Sequence, residues 1–153
     1  MIQKTIFTSK NTAETAQFAK KYVENLLKSV DNLKKSATVV ALEGDLGSGK
    51  TTFVKAAAEA LGIQKIVTSP TFVLEKVYKI NGFGGFTHLI HIDAYRLENG
   101  AELLTLGWRE LISNPQNIIF IEWPERVAEV LPKETRTIGF KFVDEKTRIL
   151  TIG

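Results

Sequence analysis

Hydrophobic and polar positions follow two rhythms along the chain. Ala16, Ala19, Val23, Leu26, Leu27 and Val30 recur at helical spacing, the stripe expected of a helix with one buried face. Asn11, followed by Glu14 three residues on, makes a capping-box start just ahead of that stripe. The run "TVVAL" is instead continuously apolar and rich in β-branched residues, as in a strand covered on both faces of a parallel sheet. "IQKTIFT" and "NIIFIEW" predict further strands, while "TSPTFVLEKVY" and "FTHLIHID" predict two that pair as a hairpin about the turn "NGFGG".

Helices fill the intervals. "KTTFVKAAAEAL" is alanine-rich and closed by Gly62. "AELLTLGWRELI" is helical but interrupted at Gly107, and "PERVAEVL" carries proline at its first helical turn. The tail "TRTIGFKFVDEKTRILTIG" predicts two strands with a turn near Asp144 and Glu145. With no repeat or linker, residues 1–153 read as a single α/β domain: three layers, with a mixed, mostly parallel central sheet.

Composition narrows the functional classes. A chain of 153 residues buries roughly 70% of its unfolded surface, enough for a core and a concave site. The absence of cysteine rules out disulfides, thiolate metal sites and cysteine nucleophiles. No apolar run approaches the ~20 residues of a membrane span, and "MIQKTIFTSKNT" lacks an apolar signal core, so the expectation is a soluble, cytoplasmic protein. Twenty basic against 17 acidic residues give a net charge of +3, too slight and dispersed to announce a nucleic-acid binder. The pairs Lys20-Lys21 and Lys34-Lys35 are read as solvated charge.

The sharpest signal lies between "TVVAL" and the alanine-rich helix. Gly44, four residues, then Gly49-Lys50-Thr51 satisfies the phosphate-loop pattern. Glycines remove Cβ atoms where the backbone must curl, so that successive N–H groups cradle phosphate oxygens at the positive end of the next helix. Asp45, Gly47, Ser48, Gly49, Lys50, Thr51 and Thr52 are the candidate nucleotide contacts. Lys50 would reach the β and γ phosphates, and Thr51 would offer its hydroxyl to Mg2+.

Two apolar strands end in an acid, Asp93 and Glu122. Either can ligate magnesium directly or through water, and the pattern does not distinguish them. Ser69 and Thr71 in "TSPTF" are placed where a switch loop senses a γ-phosphate, the alternative being a Ser-Pro turn. His91 shares a strand face with Asp93 and His88 takes the other; packing and catalysis are equally open for His91. Arg96 and Arg126 follow the two acids, with surface ion pairing as their default. Trp108 and Trp123 are core or interface anchors by type, and Trp123 adjoins a candidate site acid.

Four ordered segments, "LEGDLGSGKTTF", "SPTF", "HIDAYRL" and "IEWPERV" followed by "LP", resemble the bacterial TsaE (YjeE) ATPases of tRNA threonylcarbamoyladenosine synthesis over most of the chain. The resemblance implies a phosphate-loop NTPase fold, ATP and Mg2+ as ligands, and Lys50, Asp93 and Glu122 as the catalytic set. It implies metal roles for Thr51, Asp93 and Glu122, a switch role for Thr71, and a place for Trp123 at the nucleotide. It further implies TsaD and TsaB as partners, with tRNA met through their complex. On this resemblance TsaD would carry out the transfer to the adenosine beside the anticodon, and ATP hydrolysis by this subunit would support repeated turnover. Ala94, "FVLEKVY" and "NGFGG" depart from the family pattern outside the candidate phosphate and metal contacts.

Two other functions compete. A small-molecule kinase shares the phosphate loop but needs an acceptor pocket and a cationic lid, and no arginine-dense lid segment is present. A nucleotide switch without useful hydrolysis is the second. The sequence holds no guanine-reading Asn-Lys-x-Asp segment, which favours ATP over GTP.

Overall fold

The computed structural model describes residues 4–29, 33–65, 67–68 and 74–153. Seven strands form one sheet in the order β1-β7-β6-β2-β5-β4-β3. They are β1 (Thr5–Ser9), β2 (Thr38–Glu43), β3 (Glu75–Phe83), β4 (Phe86–Asp93), β5 (Asn117–Glu122), β6 (Arg136–Phe142) and β7 (Arg148–Ile152). The central four, β6-β2-β5-β4, run parallel, and β1, β7 and β3 join antiparallel at the two flanks. The sheet is therefore mixed, with its parallel part in the middle, where both faces are covered.

Helices α1 (Thr12–Ser29) and α2 (Lys50–Ala60) cover one face, while α3 (Gly100–Thr105) and α4 (Trp108–Ser113) cover the other. The start of α1 is the capping box expected from its sequence. Asn11 Oδ1 accepts from the Glu14 N–H at 2.8 Å, and a Glu14 carboxylate oxygen accepts from the Lys10 N–H at 2.7 Å. The first bond satisfies an orphan donor of the first turn, and the second ties the carboxylate back to the residue before the cap, so together they fix where the helix begins. On the other face the chain bends at Gly107, whose φ of 85° lies in the left-handed region, so two short helices stand in place of one continuous helix. Trp108 is fully buried beneath them and donates its indole N–H to the Val130 carbonyl at 3.0 Å.

Two elements differ from the sequence reading. "NGFGG" narrows to a two-residue turn at Gly84-Gly85, both at positive φ, the backbone that matches hairpin twist, and β3 continues through Phe83. "PERVAEVL" forms two 3-10 turns, Pro124–Arg126 and Ala128–Val130, and no α-helix. Trp123 before them is left-handed (φ 58°), and Val127 between them sits at φ −132° and breaks the helical path.

Phe53 on α2 is the anchor that positions the site. Its ring meets those of Phe18 and Tyr22 on α1, Phe120 on β5 and Phe140 on β6, with centroids 5.6 to 6.2 Å apart. A fully buried aromatic hub of this kind ties α2 to α1 and the sheet centre, and the start of α2 is the end of the phosphate loop.

Candidate functional site

The loop from Gly44 to Gly49 joins the end of β2 to the start of α2. Its glycines are required by geometry. A Cβ on Gly44 would lie 2.5 Å from the Phe140 carbonyl oxygen and 2.7 Å from Ser48 Oγ, and Gly47 and Gly49 hold φ values of 77° and 104°. Gly49 caps α2 without any side-chain hydrogen bond, leaving the first-turn N–H groups to a ligand or solvent. Ser48 Oγ is buried and has no partner among the described residues.

Lys50 occupies the floor at 5% exposure. Its ammonium donates to the Gly44 carbonyl and lies 4.0 Å from the centroid of the Trp123 ring. Burial pushes its pKa below the usual lysine value, and Glu122, Asp93, Glu125 and Asp45 pull it partly back. A desolvated ammonium among carboxylates is an electrostatic receptor for a polyanion with its own counter-ion.

Asp93 and Glu122 end adjacent parallel strands and are register partners, so both stand beside the loop at the C-terminal ends of interior strands. Both are 4% exposed. Asp93 Oδ1 accepts from the Tyr95 N–H at 2.9 Å. Glu122 Oε2 is 2.6 Å from His91 Nε2; with the carboxylate ionised, that nitrogen carries the hydrogen and donates. His91 is fully buried, and its Nδ1 has no partner among the described residues. Thus His91 stands behind Glu122 and holds one oxygen, while Oε1 enters no hydrogen bond among the described residues.

These groups share a cleft of about 580 Å3, within the usual range for small-ligand sites. Gly47, Gly49, Lys50, Thr51, Thr52, Asp93, Glu122 and Trp123 all line it. Asp45 and Ser48 belong to the loop, but their side chains are not on the wall; the Asp45 carbonyl instead accepts from the Ser48 N–H at 3.2 Å. Thr71 and Ser69 lie outside the described residues. Arg96 and Arg126 do not line the cleft, and Arg126 packs its guanidinium 5.5 Å from the Tyr95 ring centre. Tyr95 in turn packs at a tilt of 57° against Trp123, with ring centroids 5.0 Å apart.

Three oxygen-bearing side chains, Thr51, Asp93 and Glu122, converge at the loop. This donor set suits a hard cation that keeps several waters and takes phosphate oxygens as further ligands. No cluster of three or more His, Asp or Glu residues able to hold a metal unaided occurs among the described residues.

The sequence reading missed the opposite wall. Lys10, Asn11, Thr12 and Thr15 at the start of α1, and Glu145, Lys146 and Arg148 at the β6–β7 turn, complete the cleft. Arg148 donates to the Gly47 carbonyl at 3.1 Å from 101 residues away. No motif carries that signal; it depends on the antiparallel strands bringing both chain ends beside the phosphate loop.

Comparison with known proteins shows which family the chain falls in. The family model described as threonylcarbamoyl adenosine biosynthesis protein TsaE matches residues 9–150. The tRNA threonylcarbamoyladenosine biosynthesis protein TsaE of Treponema pallidum is 40% identical over 81% of this chain and 87% of that protein. The protein of the same name from Bacillus subtilis is 42% identical over 76% and 70%, and that from Rickettsia typhi is 32% identical over 95% and 92%. Among solved structures, Bacillus subtilis YdiB superposes with a TM-score of 0.75 at 33% identity, covering 99% of this chain and 86% of that one. The chain belongs to the TsaE family.

Proposed function

We propose that the protein binds and hydrolyses ATP with Mg2+, and that hydrolysis supports repeated turnover of a TsaB–TsaD complex in threonylcarbamoyladenosine modification of tRNA. The observation that carries the reading is the convergence of Lys50, Asp93 and Glu122 on one cleft at the mouth of a phosphate loop.

Lys50 and the free N–H groups at the start of α2 bind the phosphates, replacing the ammonium's contacts to Gly44 and Trp123. Thr51, Asp93 and Glu122 would hold magnesium, directly or through its waters, and a bound ion would supply neutralising charge at the phosphoryl group. Glu122, fixed from behind by His91, keeps Oε1 to orient a water and accept its proton. Asn11, Thr12 and Thr15 wall the part of the cleft left for sugar and base. The energy of hydrolysis acts through differential affinity for partners in two nucleotide states.

The experiment is ATP hydrolysis by the purified protein, alone and with cognate TsaB and TsaD, using Lys50→Ala as control. Loss of the charge-assisted contacts of Lys50 is worth roughly 1.5–3 kcal/mol, or on the order of ten- to a hundredfold in affinity. Stimulation by the partners that disappears in the variant supports the reading. Phosphate appearing on a small molecule instead would establish a kinase.

A further inference from the structure

The outer half of the phosphate loop has little packing of its own. A Cβ on Gly47 would meet nothing within 4 Å, Leu46 beside it is 88% exposed, and the neighbour a Gly49 Cβ would meet within that distance is Arg148 Cγ, at 4.0 Å. Yet a phosphate loop works only if its peptide planes are fixed before the ligand arrives, because ordering them on binding would subtract from affinity.

Arg148 supplies that order from outside the sequence motif. It opens β7 and is paired in register with Phe142 on β6 and Ser9 on β1, so strands on both sides hold its backbone. Its guanidinium is itself restrained. Nη1 donates to the carbonyls of Asp144 and Thr147, and the plane sits 4.5 Å from the Phe142 ring centre. The turn beneath is tied by Asp144 Oδ1, which accepts from the Lys146 and Thr147 N–H groups at 2.9 and 2.8 Å. From this mount Nη2 donates to the Gly47 carbonyl at 3.1 Å. Nε is buried with no partner among the described residues, a costly arrangement that the fold bears to keep the guanidinium against the loop.

We propose that Arg148 is the positioning residue of the phosphate loop: its guanidinium, mounted on the β6–β7 hairpin, fixes the Gly47–Ser48 peptide plane and holds the loop ready for the phosphates of a nucleotide. The proposal rests on the nucleotide site described above. Only a planar, multi-directional donor serves, because the same group must stack on Phe142 and reach carbonyls on both hairpin and loop. An ammonium at position 148 keeps the charge and loses the geometry.

The test compares wild-type protein with Arg148→Gln and Arg148→Lys. In the nucleotide-free protein, both substitutions are expected to speed amide hydrogen exchange at residues 46–49 by about tenfold or more while amides of β2 and β5 stay protected. Inorganic triphosphate and Mg·ATP are expected to bind about tenfold more weakly, by equal factors. Should Arg148→Gln fail to fold, Arg148→Lys and Phe142→Leu carry the same readouts. Unchanged loop exchange in variants that fold overturns the proposal, whatever the nucleotide does. Faster loop exchange in a protein whose wild type binds no ATP would uphold the latch and refute the nucleotide site.

Discussion

His91 Nε2 lies 2.6 Å from Glu122 Oε2, in a pair that joins two adjacent parallel strands and has almost no contact with solvent. The pair gives the two strand-end acids unequal standing. Asp93 is steadied by a backbone N–H of its own turn, Glu122 by a buried side chain from a neighbouring strand. Replacing His91 by phenylalanine leaves the carboxylate buried without its partner. Hydrolysis is expected to fall about 10- to 100-fold while nucleotide binding is retained. His91→Gln, whose amide can still donate, should recover part of the loss. Equal losses in both variants, or loss of binding instead of turnover, would show that His91 only packs.

Gly44 is the tightest point of the loop. A methyl group there meets the backbone oxygen of Phe140 and the Ser48 hydroxyl at distances no real Cβ adopts. Gly44→Ala is therefore expected to cost roughly 1–3 kcal/mol in stability and to weaken ATP binding, read by thermal unfolding and by titration. Gly62→Ala, where φ is also positive but the space is open, should lower stability while leaving ATP binding unchanged.

Trp123 reports the state of Lys50. The ammonium sits 4.0 Å from its ring centroid, and phosphates bound by Lys50 would draw it away. Indole emission is expected to change when Mg·ATP is added, to do so in Trp108→Phe, and to stay flat in Trp123→Phe. A change that survives removal of Trp123 would place the signal elsewhere.

Alkaline stability has two opposing contributions away from the cleft. Burial lowers the Lys34 pKa to about 8, helped by the Arg136 charge, and raises that of Tyr22 to about 12. Between pH 8 and the unfolded lysine value of about 10.5, the unfolded chain binds more protons, so stability rises with pH. Above about pH 10 the unfolded tyrosine ionises first, so stability falls as pH climbs toward 12. Denaturant midpoints across pH 7–11 should rise and then decline. Lys34→Met should flatten the rise, and Tyr22→Phe the decline.

How much of this was legible depends on how local the cause is. The phosphate loop, the capping box at Asn11 and Glu14, and the break at Gly107 arise from residues a few positions apart, and each is found where the sequence puts it. The strand-end positions of Asp93 and Glu122 were legible for the same reason. Their difference was not, because the His91–Glu122 pair exists only once β4 lies beside β5. Arg148 was invisible to any motif, since its role needs the last strand to pass the loop between β2 and α2. Trp123 adopts a left-handed backbone that no propensity favours just ahead of the expected helix, and its indole lies over the Lys50 ammonium.

The most direct measurement counts rounds of tRNA threonylcarbamoylation by TsaB and TsaD supplied with wild-type protein, Lys50→Ala or Glu122→Gln. Many modified tRNAs per complex with the wild type, and about one or fewer with either variant, is the expected result. Equal turnover with all three would contradict the claim that ATP hydrolysis in this cleft drives the cycle.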